Sequence, residues 1–323
     1  MSTRSLLSRS SNRQRFLRQN GRVIAVFGLV IVMVLVGVLF TERFEGERNV
    51  FNLLRQMSFL GVVALGQMLV VLTGGIDLSV GSMVRISVLV SAILMNGDSA
   101  NTVPAVVLTL LLAAGIGFIH ALLINRLNVS PFIVTLASYV ILRGVALTIS
   151  TAPIGRASRE TLTFYDQRIG PFSVLFVVFM ILMVALIFVL RRTVFGRYVY
   201  AVGGNQEVAR LSGIPVQRVR YGVYMLCSVF ASVCGLMWLS RMGVGDPLIA
   251  DGLELTTITA VIIGGTSLFG GRGGVLGTVG GVLVLTILAN LMVLLNVQQQ
   301  FQGLIEGVVI VASIALYNQE NKN

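Results

Sequence analysis

The sequence predicts an all-α polytopic membrane protein with about ten transmembrane helices, and three observations carry that prediction. Of its 323 residues, 55% are hydrophobic and only 11% charged, whereas a soluble domain carries about 25% charged residues. Apolar runs near the roughly 20 residues needed to cross a bilayer recur along the whole chain. The 35 glycines fit the same class, since glycine is commoner in membrane helices than in soluble ones.

The chain opens on a basic tail, 1–22, with Arg4, Arg9, Arg13, Arg15, Arg18 and Arg22 and no acid. An apolar span begins at once at Val23, so the tail reads as the cytoplasmic flank of a helix rather than a nucleic-acid arm. Charged TERFEGER follows that span, with no small-residue cleavage site, and the helix is expected to be retained. The ten expected spans are 23–41, 57–75, 79–96, 104–123, 131–150, 171–190, 222–240, 252–269, 275–296 and 300–317, with Arg85 making the third the weakest. Together 23–317 reads as one transmembrane domain, with 318–323 as a cytoplasmic C-terminal tail.

Ten spans place both termini on the cytoplasmic side. The long loop 191–221 then falls inside, with Arg191, Arg192, Arg197, Arg210, Arg218 and Arg220 against the single acid Glu207. The acidic or mixed segments 42–50, 97–103, 151–170 and 241–251 fall outside, which satisfies the positive-inside rule. Cys227 and Cys234 lie in one expected helix and read as small buried hydrophobes; neither a disulfide nor a metal site is expected.

Within 191–221, Gly203 and Gly204 are expected to loosen the backbone and Asn205 to cap a helix over 206–212. Glu207 favours its first turn, and Gly213 followed by Pro215 ends it. The helix would present Val208 and Leu211 with Arg210 beside them. Two turns are marginal alone, so such well-marked ends predict a helix held against its own bundle or another subunit.

Two glycine-rich turns stand out. LTGGIDLSVGS, 72–82, sets Asp77 among glycines and serines between two apolar runs. It is open to reading as a substrate site, an ion or proton relay, or a polar turn. GGTSLFGGRGG, 264–274, has no G-K-[ST] ending, and the only lysine in the chain is Lys322. The chain therefore carries no Walker nucleotide site, and any ATP-driven work needs a separate chain. The two turns echo each other without a gap over 70–81 and 260–271, pairing Gly74 and Gly75 with Gly264 and Gly265, Asp77 with Ser267, and Gly81 with Gly271. Broken helices in internal repeats tend to line a transport path.

Ionisable groups within the spans are Asp77, Arg85, His120, Arg143, Glu254 and Glu306, and such groups face protein or water. Gln67, Asn290 and Asn296 are neutral polar groups that glue helices together or line a passage. Gln67, Arg85, Glu254 and Asn290 are the path-lining candidates. No Ser-His-Asp set, carboxylate pair or metal spacing occurs, and the sole histidine, His120, has no partner nearby in sequence. The chain does not read as an enzyme.

LTGGIDLSVGS at 72–82, PFIVTLASYVILRG at 131–144, FGRYVYAVGGNQEVARLSGI at 195–214 and GLELTTITAVIIGGTSLFGGRGGVLGT at 252–278 resemble, in order, the membrane permease subunit of ABC sugar importers. That family includes the ribose, arabinose, xylose and autoinducer-2 permeases. The resemblance implies a BtuC-like (type II-like) ABC importer permease architecture in a bacterial inner membrane, importing a sugar or sugar-like solute by ATP-driven alternating access. It implies as partners a second permease subunit (identical or closely related), two cytoplasmic ATPase domains and a periplasmic binding protein. No cofactor is expected on this chain, since ATP binds the partner subunit. It identifies Gly203, Gly204, Asn205, Glu207, Ala209, Arg210, Leu211, Ser212 and Gly213 with the ATPase-coupling segment.

The alternative is an ion-coupled secondary transporter using Asp77. Against it, a relay has no evident use for a serine twin. Gly74, Gly75, Asp77, Ser79, Gly81, Gly264, Gly265, Ser267, Gly270 and Gly271 read instead as helix breaks of a gate, with Asp77 and Ser79 capping the following helix. Arg85 and Thr256 depart from the family pattern. If Arg85 faces the passage, it favours an acidic solute; if it pairs with a carboxylate, for which Asp77 and Glu254 are at hand, it is structural. The cost of an unpaired charge favours the second.

Overall fold

A computed structural model describes residues 3–298, 300–305, 307–309 and 311. In chain order its helices are α1 (Thr3–Phe40), α2 (Glu47–Leu72), α3 (Val80–Met95), α4 (Thr102–Leu127), α5 (Pro131–Ile149), α6 (Arg159–Asp166), α7 (Val174–Arg192), α8 (Val194–Gly204), α9 (Gln206–Leu211), α10 (Val216–Met242), α11 (Leu253–Ile263) and α12 (Val275–Leu294). A two-residue hairpin, β1 (Arg168–Ile169) against β2 (Phe172–Ser173), precedes α7. Of the expected tenth span, 300–317, residues 300–305, 307–309 and 311 are helical, while Glu306, 310 and 312–317 lie outside the described residues, as does the tail 318–323.

Among the described residues, seven helices are long and apolar enough to cross a membrane: those over Val23–Phe40, Glu47–Leu72, Ser99–Leu127, Pro131–Ile149, Val174–Arg192, Val216–Met242 and Val275–Leu294. The third and eighth expected spans are not full crossings. At 1.5 Å per residue, α3 with 16 residues is about 24 Å long and α11 with 11 about 16 Å. A bilayer core is about 30 Å thick. α3 matches its expected span to within one residue at each end, whereas α11 stops six residues short of 269 because the turn 264–274 begins there. α2 begins ten residues earlier than its apolar run, since Glu47 is favourable in a first turn.

The helices run alternately between two ends of the bundle. One, here the loop end, gathers the C-terminus of α2, the N-terminus of α3, α8, α9 and the turn 264–274. The far end gathers 41–46, 96–101, 150–173 and the start of 243–252, which then runs back along α3 until the Ala250 carbonyl lies against Gly81. At the far end Ile154 pairs with Gly245 as an antiparallel bridge, and the Gly97 N–H donates to the Arg156 carbonyl at 2.9 Å. Asn49 and Asn290 exchange side-chain amide bonds of 3.1 and 2.8 Å there, tying α2 to α12.

The core forms around α2, whose residues Val62–Leu65 and Met68–Leu72 are fully buried among α7, α10, α11 and α12. Small residues permit the approach, as where Gly66 lies against the Cys227 backbone. Buried hydroxyls return bonds to their own helix: Ser87 to the Met83 carbonyl at 2.8 Å and Thr109 to Ala105 at 2.7 Å.

Candidate functional site

At the loop end, α2 and α11 stop in the same way. The Gly74 N–H bonds to the Val71 carbonyl and Gly75 N–H to Val70; Gly265 N–H bonds to Ile262 and Thr266 N–H to Val261. Each is a Schellman ending with a glycine at positive φ, 78° at Gly74 and 81° at Gly265. A side-chain turn follows in each. Asp77 Oδ1 accepts from the Ser79 N–H at 2.8 Å and hydroxyl at 2.6 Å, and Ser267 Oγ accepts from the Phe269 N–H at 3.3 Å. Counted from the helix ends, the second copy is one residue shorter, so the gapless sequence echo matches the side-chain turns but slips one residue at the glycines.

The two turns touch. The Gly271 N–H donates to the Leu72 carbonyl at 3.0 Å. The backbone of Gly203, near the end of α8, packs between those two groups so closely that a Cβ there would overlap the Leu72 carbonyl oxygen. Gly270, at φ 85°, lies against Gly203 and Gly74. Gly203 therefore does not loosen the backbone as expected; it is helical, and its missing side chain lets three backbones meet. Only Gly204 is open, with nothing within 4 Å of a Cβ there. The Tyr200 hydroxyl adds a 3.0 Å bond to the Gly273 carbonyl. Burial pushes that phenol's pKa up, against the lowering influence of Arg191, keeping it a donor.

From this junction α9 projects. Asn205 Oδ1 accepts from the N–H groups of Glu207 and Val208, both at 3.0 Å. Gly213, at φ 78°, closes the helix with bonds from its N–H to Arg210 and from Ile214 N–H to Ala209. Ala209 is buried against the bundle, while Val208 is 57% and Leu211 78% exposed. Arg210 pairs with Glu207 at 2.7 Å on the surface, and the Ser212 hydroxyl bonds back to Val208. α9 thus offers two unburied apolar side chains on a rigidly ended helix.

The path-lining candidates are placed differently. Gln67 is fully buried, and with its amide turned to suit its neighbours it donates to the Asp77 carbonyl at 3.0 Å and accepts from the Asp77 N–H at 3.3 Å. It clamps the turn that carries Asp77. Asn290 is taken up by Asn49. Arg85, 1% exposed, bonds to the Ile249 carbonyl at 3.0 Å and pairs with Asp251. Its partner is neither Asp77 nor Glu254, because α3 carries Arg85 toward the segment before α11. Asp251 is half-exposed and also faces Arg143 at 3.6 Å. Glu254 is buried against Gly81, where a larger side chain at 81 would collide with it.

Asp77 has no exposure and faces residues that sequence distance concealed. His120 Nε2 meets Ser138 Oγ at 2.7 Å, and the His120 and Tyr224 rings lie edge-on at 6.4 Å. The Asp77 carboxylate acts electrostatically on His120, Tyr224 and Cys227. Thr135 Oγ1 donates to the Ile76 carbonyl at 3.0 Å, so α4, α5 and α10 all brace this turn. Among the described residues no group of three His, Cys, Asp or Glu is set to hold a metal.

Residues 49–314 match the family described as "Branched-chain amino acid transport system / permease component". The ribose import permease protein RbsC of Escherichia coli (strain K12) is 35% identical over 303 residues, covering 90% of this chain and 93% of its own. RbsC of Bacillus subtilis (strain 168) is 36% identical over 297 residues, with 90% of each chain covered. The L-arabinose ABC transporter permease protein AraH of Azospirillum brasilense is 36% identical over 290 residues, covering 87% and 82%. No solved structure matches the chain. The chain belongs to this permease family, and within it lies among the permeases of sugar ABC importers.

Proposed function

We propose that this member of the family is the transmembrane subunit of a binding-protein-dependent ABC importer that brings a sugar or sugar-like solute into the cytoplasm. ATP hydrolysis takes place on separate ATPase subunits, and a second permease subunit completes the passage. The arginine-rich loop end faces the cytoplasm, with the tails 1–22 and 318–323 on that side. The far end receives solute from a periplasmic binding protein.

The observation that carries this reading is the joint between α9 and the two helix breaks. α9 supplies exposed Val208 and Leu211 for a partner's cleft, and α8 ties it through Gly203 to the ends of α2 and α11. ATP-driven movement of a docked partner would reach both helix breaks through backbone contact, which fits rigid-body alternating access. Asp77, held by Ser79 and Gln67, serves as a fixed turn in that linkage.

Uptake into proteoliposomes tests the proposal. With ATPase and binding protein present, uptake should require ATP and survive an uncoupler. Uptake by this chain alone that an uncoupler collapses would overturn the proposal in favour of ion coupling at Asp77.

A further inference from the structure

Toward the far end, α2, α10, α11 and α12 line a half-open cavity of about 250 Å³. That is just under the roughly 300–1,000 Å³ of drug-sized ligand sites, and suits one small ring. One wall is aromatic: Phe59 and Trp238 lie 5.0 Å apart, and the Arg241 guanidinium sits over the Trp238 ring at 5.1 Å. The rest combines apolar side chains with Gln56, Thr256, Thr259 and Thr286.

The polar chemistry of this wall is two-sided. Among the described residues no carboxylate pairs with Arg241, which leaves its N–H groups available as donors. Thr256 spends its hydroxyl proton on the Gly252 carbonyl at 3.1 Å, and Thr259 on Leu255 at 2.8 Å. Their oxygens keep lone pairs free to accept. A sugar hydroxyl both donates and accepts, and a sugar ring's C–H face packs on an aromatic face. A branched aliphatic side chain would use the aromatic wall but leave the polar groups desolvated and unmatched.

We propose that this cavity is a transient solute site holding one monosaccharide ring against Trp238, with Arg241 and Gln56 donating to its hydroxyls and Thr256 accepting from them. The inference rests on the sugar-import reading and adds the place of contact.

Trp238 is the only tryptophan in the chain, so its emission reports on this wall directly. The full-length chain in detergent would be titrated with D-ribose, L-arabinose, D-allose and L-leucine, alongside proteoliposome uptake of the same solutes by the complete complex. At least one sugar should shift the emission saturably while leucine does not. Thr256→Val should raise the half-saturation at least fivefold with an unchanged thermal melt. Import of a sugar with no saturable emission change for any of the three, an equal response to leucine, or an unmoved midpoint in Thr256→Val would overturn the cavity assignment alone. No import and no response for any sugar would overturn both readings.

Discussion

Replacing Gly203 by valine should uncouple ATP hydrolysis from transport while leaving the ATPase docked. A Cβ at this position would overlap the Leu72 carbonyl oxygen and lie 2.5 Å from the Gly271 nitrogen. Both are backbone atoms, so neither can swing aside as a side chain would. Relief requires parting α8 from the α2 end, breaking the 3.0 Å bond from Gly271 to Leu72. Overpacking costs about 1–3 kcal/mol and the lost hydrogen bond about 1 kcal/mol, so the junction loses about 2–4 kcal/mol. If it forms in only one of two transport conformations, their ratio shifts roughly 30- to 900-fold. The assay is sugar uptake per ATP hydrolysed in proteoliposomes, with ATPase pull-down as the docking control. Uptake per ATP should fall at least tenfold while pull-down stays at wild-type yield. Gly204→Ala, which meets nothing within 4 Å, should be neutral in both. A Gly203→Val complex with unchanged uptake per ATP would refute the linkage.

Leu211→Asp should abolish ATPase pull-down, because it puts a charge on the most exposed apolar side chain of α9; recovery at wild-type yield would count against docking there. Arg85→Met should lower thermal stability in detergent by up to about 3 kcal/mol, the low end for breaking a buried pair, since Asp251 remains half in water. Arg143→Met, whose pair with Asp251 is exposed at both ends, should cost under about 1 kcal/mol; equal losses would contradict this ranking. A double-mutant cycle on Asn49→Ala and Asn290→Ala should give a coupling near 1 kcal/mol. Additive losses would mean the reciprocal amide pair holds nothing.

What could be read from the sequence was local. Asn205, Glu207, Gly213 and Pro215 act within a few residues of each other, so the expected helix over 206–212 appears as Gln206–Leu211 with the expected cap. The glycine breaks were legible for the same reason, since a Schellman end needs only a glycine after the helix. What stayed hidden was set by distance in the chain. Arg85 finds Asp251 rather than Asp77 because the segment before α11 folds back beside α3. His120 seemed solitary until α4, α5 and α10 closed around Asp77. Gln67 and Asn290 looked like passage lining because an amide in an apolar run is equally suited to gluing, and only their partners decide. The shortness of α11 was obscured by composition: GGTSLFGG is apolar enough to extend a hydropathy run to 269 while its backbone turns away.

The brevity of α11 bears on how the chain enters its membrane. Eleven residues give a segment of about 16 Å, too short to span the bilayer core and leave an insertion channel for lipid unaided. α12, a 20-residue helix of apolar character, can do so. α11 should therefore enter the membrane together with α12 as a hairpin joined by the turn 264–274. Lengthening that turn should trap α11 on the wrong side during synthesis, a defect in biogenesis that would mimic a transport defect unless topology is mapped first.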